Sequence, residues 1–171
     1  MTFDDTLRRL EAGDFSALAP LFAEGPGGSP SAIVSWLDQG LFAPRPAALA
    51  EAFTCACFLG AEAVVENLLA RGCLPAGGAA TGADALHWAA NRGELGVVRL
   101  LLEHGADTES RNRFGGTALG MAVWSAVHEP RAEHLRIIEA LVAAGAEAAG
   151  AGYPTGDARV DAFLALLLPA R

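Results

Sequence analysis

Two histidines flank a proline in "VHEPRAEH", residues 127–134. Imidazole is the commonest metal ligand and the usual general base near neutral pH, so His128 and His134 are the first residues to weigh for chemistry. They stand six apart across Pro130, and "HEP" lacks the second His that a zinc-peptidase helix needs at i, i+4. Both read as solvated polar residues rather than a metal pair. Cys55 and Cys57 are two apart and point in different directions on a helix; with Cys73 they form neither a disulfide framework nor a four-ligand zinc set, and they read as reduced, packed thiols. "GPGGS" at 25–29 places glycines ahead of a helix, where backbone N–H groups can hold an anion, but no Lys and no strand accompany it, so it reads as a turn. Asp4 and Asp5 read as helix-start charges rather than an acid/base pair. All twelve Lys+Arg cations are Arg, which removes Schiff-base and P-loop lysines. The expectation is a chain with no catalytic, cofactor or metal residues; a hydrolytic enzyme is kept only as a remote alternative.

Composition points the same way. The chain has 171 residues, 52% of them hydrophobic, enough for one domain or one elongated array with a substantial core. A net charge of −8 argues against a nucleic-acid partner. The charge is uneven: residues 1–91 carry four Arg against ten acids, whereas residues 92–136 carry six Arg against six acids. A locally neutral, Arg-containing middle therefore sits in an acidic chain. The start, "MTFDDTLRRLEAGDF", is too polar and acidic for a signal peptide. The apolar run "AFLALLLPA" is far shorter than the ~18 residues of a membrane span. A soluble, cytoplasmic protein without membrane contact is expected.

The elements that would position any site emerge from a repeat. "DALHWAANRGELGVVRLLLEHGAD", residues 84–107, reads as two short helices, each with one apolar face, and neither alone nor as a pair can they bury it. Gly60 and Gly93 are 33 apart, as are Leu86 and Leu119; Val64-Val65 falls on Val97-Val98, and Gly72 on Gly105. Such a period marks units that bury their faces against their neighbours. Asp84 and, one unit later, Thr117 can cap the first helix of their unit. Ala89 and Ala90 let the neighbouring helix approach. Val97, Val98, Leu101 and Leu102 form the stripe of the second helix, and Gly105 ends it in the left-handed conformation.

This middle unit resembles an ankyrin repeat through Gly82, Leu86, His87, Ala89, Ala90, Gly93, Val97, Val98, Leu101, Leu102, Gly105, Ala106 and Asp107. The resemblance implies an all-α helical solenoid with short β-hairpin-like loops between repeats, a loop-bonding role for His87, and a protein partner held in the groove of the inner helices and hairpin tips. Three repeats are expected at 46–80, 81–113 and 114–154. The first is degenerate; the third carries about seven inserted residues near "SAVHEPR", 125–131, which extend the groove rim or lengthen the helices they join. Residues 1–45 form a divergent N-terminal cap. In it "TLRRLEAGDFSALAPLFAEG" reads as helix, Gly-Asp turn, helix, and "SAIVSWLDQG" as one more helix capped by Ser29 with Pro30 at its first position. Residues 155–171 form a closing helix. Trp36 is expected in the cap core and Trp88 between repeats.

By register the groove positions are Phe58 and Leu59, Asn91 and Arg92, Trp124 and Ser125. The inter-repeat loops run through Ala76-Gly77-Gly78, through Arg111, Asn112, Arg113 and Phe114, and through Gly152-Tyr153. Large aromatics and Arg dominate interface energetics. The candidate partner-binding residues are therefore Phe58, Asn91, Arg92, Arg111, Arg113, Phe114, Trp124, Ser125 and Tyr153. The functional expectation is a monomeric adaptor, inhibitor or immunity-type protein; the alternative is a structural subunit or homodimer using its outer helix surface.

Overall fold

The computed structural model describes residues 1–73 and 82–168, so the loop expected at Ala76-Gly77-Gly78 lies outside the described residues. The chain divides into two compact units, Met1–Ala85 and Leu86–Arg171. Among the described residues the regular elements are all helical, apart from an isolated bridge between Gly25 and Ser29. The expected all-α class holds, and no helix is long and apolar enough to cross a membrane.

The first unit contains α1 (Phe3–Ala12), α2 (Ala19–Phe22), α3 (Ala32–Asp38), α4 (Pro46–Phe58) and α5 (Glu62–Ala70). Thr2 and Asp5 start α1 with a reciprocal capping box. Pro46 opens α4, where its missing N–H costs nothing. That helix packs on α1 and α5, so it is buried almost all round, and Ala52, Phe53, Cys55, Ala56 and Cys57 are core residues. Burial pushes the Cys55 and Cys57 thiols well above their ordinary pKa, which leaves both protonated and inert at neutral pH.

The helices of residues 1–45 are joined differently from the sequence reading. The segment read as the second helix shrinks to a 3-10 turn and the four-residue α2. The helix that lies against α5 is α3, and Arg71 Nη2 at the end of α5 donates to Asp38 at the end of α3 over 2.6 Å. Ser29 does not cap α3. Its carbonyl accepts from Gly25 N–H at 2.8 Å and its hydroxyl donates to Pro26 O at 3.1 Å, so it is committed to closing the glycine turn. The cap is Ser31, whose buried hydroxyl accepts from Val34 N–H, and the helix begins at Ala32. Phe3 meets Trp36 and Phe42 edge-on at 5.2 and 5.1 Å; of the three only Phe42 is a core residue, and Trp36, expected in the core, is half-buried.

The second unit contains α6 (Ala85–Arg92), α7 (Leu95–Glu103), α8 (Ala118–His128), α9 (His134–Ala143) and α10 (Ala158–Leu167). Leu95, Val97, Val98 and Leu101 are buried on α7, with Leu102 at the half-buried edge of the stripe. The α7 face packs on α9, and α8 packs on α9 and α10. Ala89, Ala90, Ala122 and Ala126 are fully buried, the small side chains that close helix approach requires. Thr117 caps α8 through Gly120 N–H, as its position implied. Gly105 ends α7 at φ +77°.

Two glycines are needed for proximity. A Cβ on Gly120 would lie 2.7 Å from Gly150 O, and one on Gly150 would lie 2.6 Å from Thr117 Oγ1. The 3-10 turn Ala148–Ala151 is thus pressed directly onto the first turn of α8.

The inserted residues lengthen the inner helix. From the same register start, α8 runs to His128, eleven residues, whereas α6 stops at Arg92 after eight. The chain then folds back so that Arg131 and His134 sit over Gly93, where an added Cβ would be 3.1 Å from Arg131 Cδ. The Arg131 guanidinium reaches within 4.0 Å of the Glu94 carboxylate.

Two substitutions test this packing in urea denaturation. Leu101→Ala opens a cavity in the α7 face and is expected to lose about 2–5 kcal/mol. Gly120→Ala must lift the 148–151 turn and is expected to cost about 1–3 kcal/mol. An unchanged midpoint for Gly120→Ala would mean that the turn does not rest on α8.

Candidate functional site

The loop between α7 and α8 is built around Asn112. Its side-chain Oδ1 accepts from Phe114 N–H at 2.9 Å and Gly116 N–H at 3.0 Å, while its own N–H donates to Gly116 O at 2.9 Å. An Asn at a turn start can satisfy the backbone in this way. The turn is moored from below: His87, almost fully buried, donates from Nε2 to Gly116 O at 2.9 Å. That is the loop-bonding role expected for it. The consequence is at the tip, where Phe114 is 86% exposed. The Arg113 guanidinium lies 5.7 Å from the centre of that ring, and Arg111 Nη1 donates to Gly115 O at 3.0 Å. Both arginines are exposed.

Along α8 the candidates separate. Trp124 is half exposed and stacks on His128, with ring centres 4.7 Å apart and planes 17° apart. His128 Nδ1 donates to Trp124 O at 2.8 Å, so the two rings are locked one helical turn apart. Ser125, expected in the groove, is fully buried and accepts from Asn91 Nδ2 at 2.8 Å. Asn91 and Ser125 are turned toward each other and join α6 to α8. The register argument placed Ser125 beside Trp124, but on a helix adjacent residues point about 100° apart. Arg92 is half-buried at the end of α6. Phe58 belongs to the first unit, where its half-buried ring meets Phe15 edge-on at 5.7 Å. Tyr153, exposed by about half, stands on the loop before α10.

His134 completes a buried chain through Asn91. Its Nδ1 accepts from Arg131 N–H at 3.1 Å and its Nε2 donates to Asn91 O at 3.1 Å. Both nitrogens are engaged, and only the neutral ring with its proton on Nε2 satisfies both partners. Desolvation lowers its pKa, with the Asn91 carbonyl opposing and the charges of Arg131 and Arg159 adding to the shift. Among the described residues no group of three or more His, Cys, Asp or Glu is placed to hold a metal.

The loop before α10 is gathered by another carboxylate. Asp161 accepts from Thr155 N–H at 2.7 Å, Thr155 Oγ1 at 2.8 Å and Gly156 N–H at 3.1 Å. The Thr155 backbone bond leads in holding its pKa below the usual carboxylate value. This loop and the Gly150–Gly152 backbone face α8 across an open cavity of about 240 Å³, walled on the helix side by Val123, Trp124, Val127 and His128. Sequence reasoning missed three of these features. The Trp124–His128 spacing of four and the Asn-x-x-Gly-Gly run at 112–116 were available signals; the Gly120–Gly150 approach carried none.

Comparison with known proteins points to one family. The family model for ankyrin repeats (3 copies) matches residues 52–149. A Pyrobaculum aerophilum protein named for its ankyrin repeats is 44% identical over 63 residues, 37% of this chain. The matched stretch spans only 23% of that relative.

The His134 arrangement has a pH signature. A folded-state pKa below the ordinary value of about 6.5 means that its contribution is complete above that pH and is lost as pH falls toward the folded value. Urea midpoints measured from pH 8 to pH 5 are expected to fall below about pH 6.5 in the native chain, and to fall less steeply in His134→Gln. Identical slopes in both proteins would refute the assignment.

Proposed function

This chain belongs to the ankyrin repeat family, and on that premise we propose that it is a non-catalytic binding module whose second unit grips a protein partner with the 111–114 tip and the exposed side of α8. Ankyrin repeats are generally protein–protein interaction modules. The observation that carries the reading is Phe114, 86% exposed on a turn that Asn112 and His87 hold in shape. A large apolar side chain held out in water by a built turn is a contact residue in waiting. Arg111 and Arg113 flank it with forked donors suited to carboxylates. Trp124 and Tyr153, each about half exposed, extend the apolar surface of the same unit.

The outer helix surface has less to offer. The exposed large apolar side chains among the described residues are Met1, Phe114, Trp124, Tyr153 and Leu166, and none lies on α5, α7 or α9. Support is therefore better for a monomer using its tip and inner helix than for a homodimer joined through outer helices. An adaptor, or an inhibitor or immunity-type protein sequestering one partner in the cytoplasm, is the role that suits an acidic binding module.

The test is selection of binders to the native chain from a displayed protein library. Selected binders are expected to lose roughly tenfold or more in affinity on Phe114→Ala and on Arg113→Ala, the scale of an interface hot spot, with the melting temperature unchanged. Binders indifferent to both substitutions and to Trp124→Ala would overturn the proposed surface.

A further inference from the structure

We infer that residues 129–132 form a latch that acid opens: the loop is fastened to the turn between α6 and α7 through the neutral ring of His134, and protonating that ring releases the loop while the helices stay packed. The inference needs no partner, so it stands or falls apart from the protein-binding reading.

Burial does little to hold this loop. Glu129, Pro130, Arg131 and Ala132 are all exposed, and a segment with few buried contacts opens at low cost. Its ties to the α6–α7 turn centre on Arg131 and His134. The Arg131 backbone N–H donates to His134 Nδ1 at 3.1 Å, the Arg131 side chain lies over Gly93, and its guanidinium stands 4.0 Å from the Glu94 carboxylate. That ion pair is long and open to solvent, so it adds little.

The ring of His134 is buried and its two nitrogens face different elements. Nε2 donates to Asn91 O, at the end of α6, at 3.1 Å, and it does so whether the ring is neutral or charged. Nδ1 accepts from the loop only while it carries no proton. A second proton therefore sets N–H against N–H on the loop side and leaves the α6 side bonded. The break falls between ring and loop, not between α9 and α6.

The surrounding charges favour that outcome. Arg131 acts on the ring from the loop and Arg159 from α10, and Glu129 is the opposing carboxylate. Helix α6 presents the Asn91 carbonyl, followed in the chain by Arg92, and the α6–α7 turn presents Glu94, already beside Arg131. Helix α8 carries no charged group before His128, whose Nδ1 is committed to Trp124 O. On the α9 side Arg136 is paired with Glu133. Desolvation leads in keeping the ring neutral, and the two arginines add to it against the Asn91 carbonyl and Glu129. Lifting the exposed loop lets water reach a charged Nδ1 without parting any packed helices, so the response to acid is local.

The experiment is 1H–15N NMR of the full chain from pH 8 to pH 5. Long-range spectra follow the His134 ring nitrogens, and amide hydrogen exchange is read as protection relative to the unstructured chain. At pH 8 the ring is expected to carry its proton on Nε2 alone. Below about pH 6.5, Arg131 protection is expected to fall as the ring titrates, by up to about tenfold per pH unit, the slope for uptake of one proton. Val98, Leu101, Ile138 and Leu141 keep their protection. His134→Gln retains an acceptor and a donor but does not titrate, and is expected to hold Arg131 protection constant. Should that variant fail to fold, the native chain alone decides, because ring titration and Arg131 protection must follow one curve. Arg131 protection that ignores the ring, a ring still neutral at pH 5, loss of protection in α7 and α9 together with the loop, or the same opening in folded His134→Gln would overturn the inference.

Discussion

A pair of helices of about ten residues, each with one apolar face, is not stable alone in water. It persists only where a neighbouring pair covers that face, and the second unit is organised around this need. Helix α7 lies on α9, and α8 on α9 and α10. Close approach demands small residues at the contact, and the inner helices supply alanines there. It also strands polar groups away from water, where each unmatched donor or acceptor costs about 1–3 kcal/mol. The matching is specific: His87 donates to the Gly116 carbonyl, Asn91 donates to Ser125, and His134 donates to the Asn91 carbonyl while accepting from Arg131. These bonds couple the register of one pair to that of the next, so a slip would leave several buried groups unmatched at once.

That coupling explains why the fold was legible from spacing. The period read from glycines and valines returns as physical contact: Asn91 to Ser125 at a separation of 34, Arg159 to Ala126 at 33, and Arg71 to Asp38 at 33. The last of these ties the end of α5 to α3, where apolar self-similarity had faded. Legibility failed where local chemistry competes with the repeat. Ser29 and Ser31 are equally plausible helix caps on sequence, and the choice falls to Ser31 because the Gly25–Ser29 turn consumes the other. In the same way α3, rather than segment 16–22, lies on α5, since the glycine- and proline-rich stretch after Phe22 leaves that segment only a 3-10 turn and four helical residues.

Exposure at the candidate site was legible in part for the same reason. Exposed aromatic and arginine residues on the 111–114 loop follow directly from register, because a loop between stacked pairs has no neighbour to cover it. Ser125 went the other way: a hydroxyl beside an exposed tryptophan read as surface, whereas one residue along a helix is enough to turn it into the contact with α6. Polar residue type is a poor guide at such positions, since close-packed inner helices need buried hydrogen-bond partners as much as they need alanine.

The insertion ties these threads together. With the length of α6, helix α8 would end at Ser125, and neither Val127 nor His128 would stand on it. The three extra residues carry the helix far enough to stack His128 on Trp124 and to give the cavity its far wall. The return of the chain is paid for by contacts that only this insertion makes, Arg131 near Glu94 and His134 over the Gly93 turn. A longer inner helix by itself would splay from its shorter neighbour. Anchoring the returning loop on that neighbour's turn keeps the two in register while the additional helical turn projects beyond it. The departure from the repeat and the cavity beside α8 therefore have one cause.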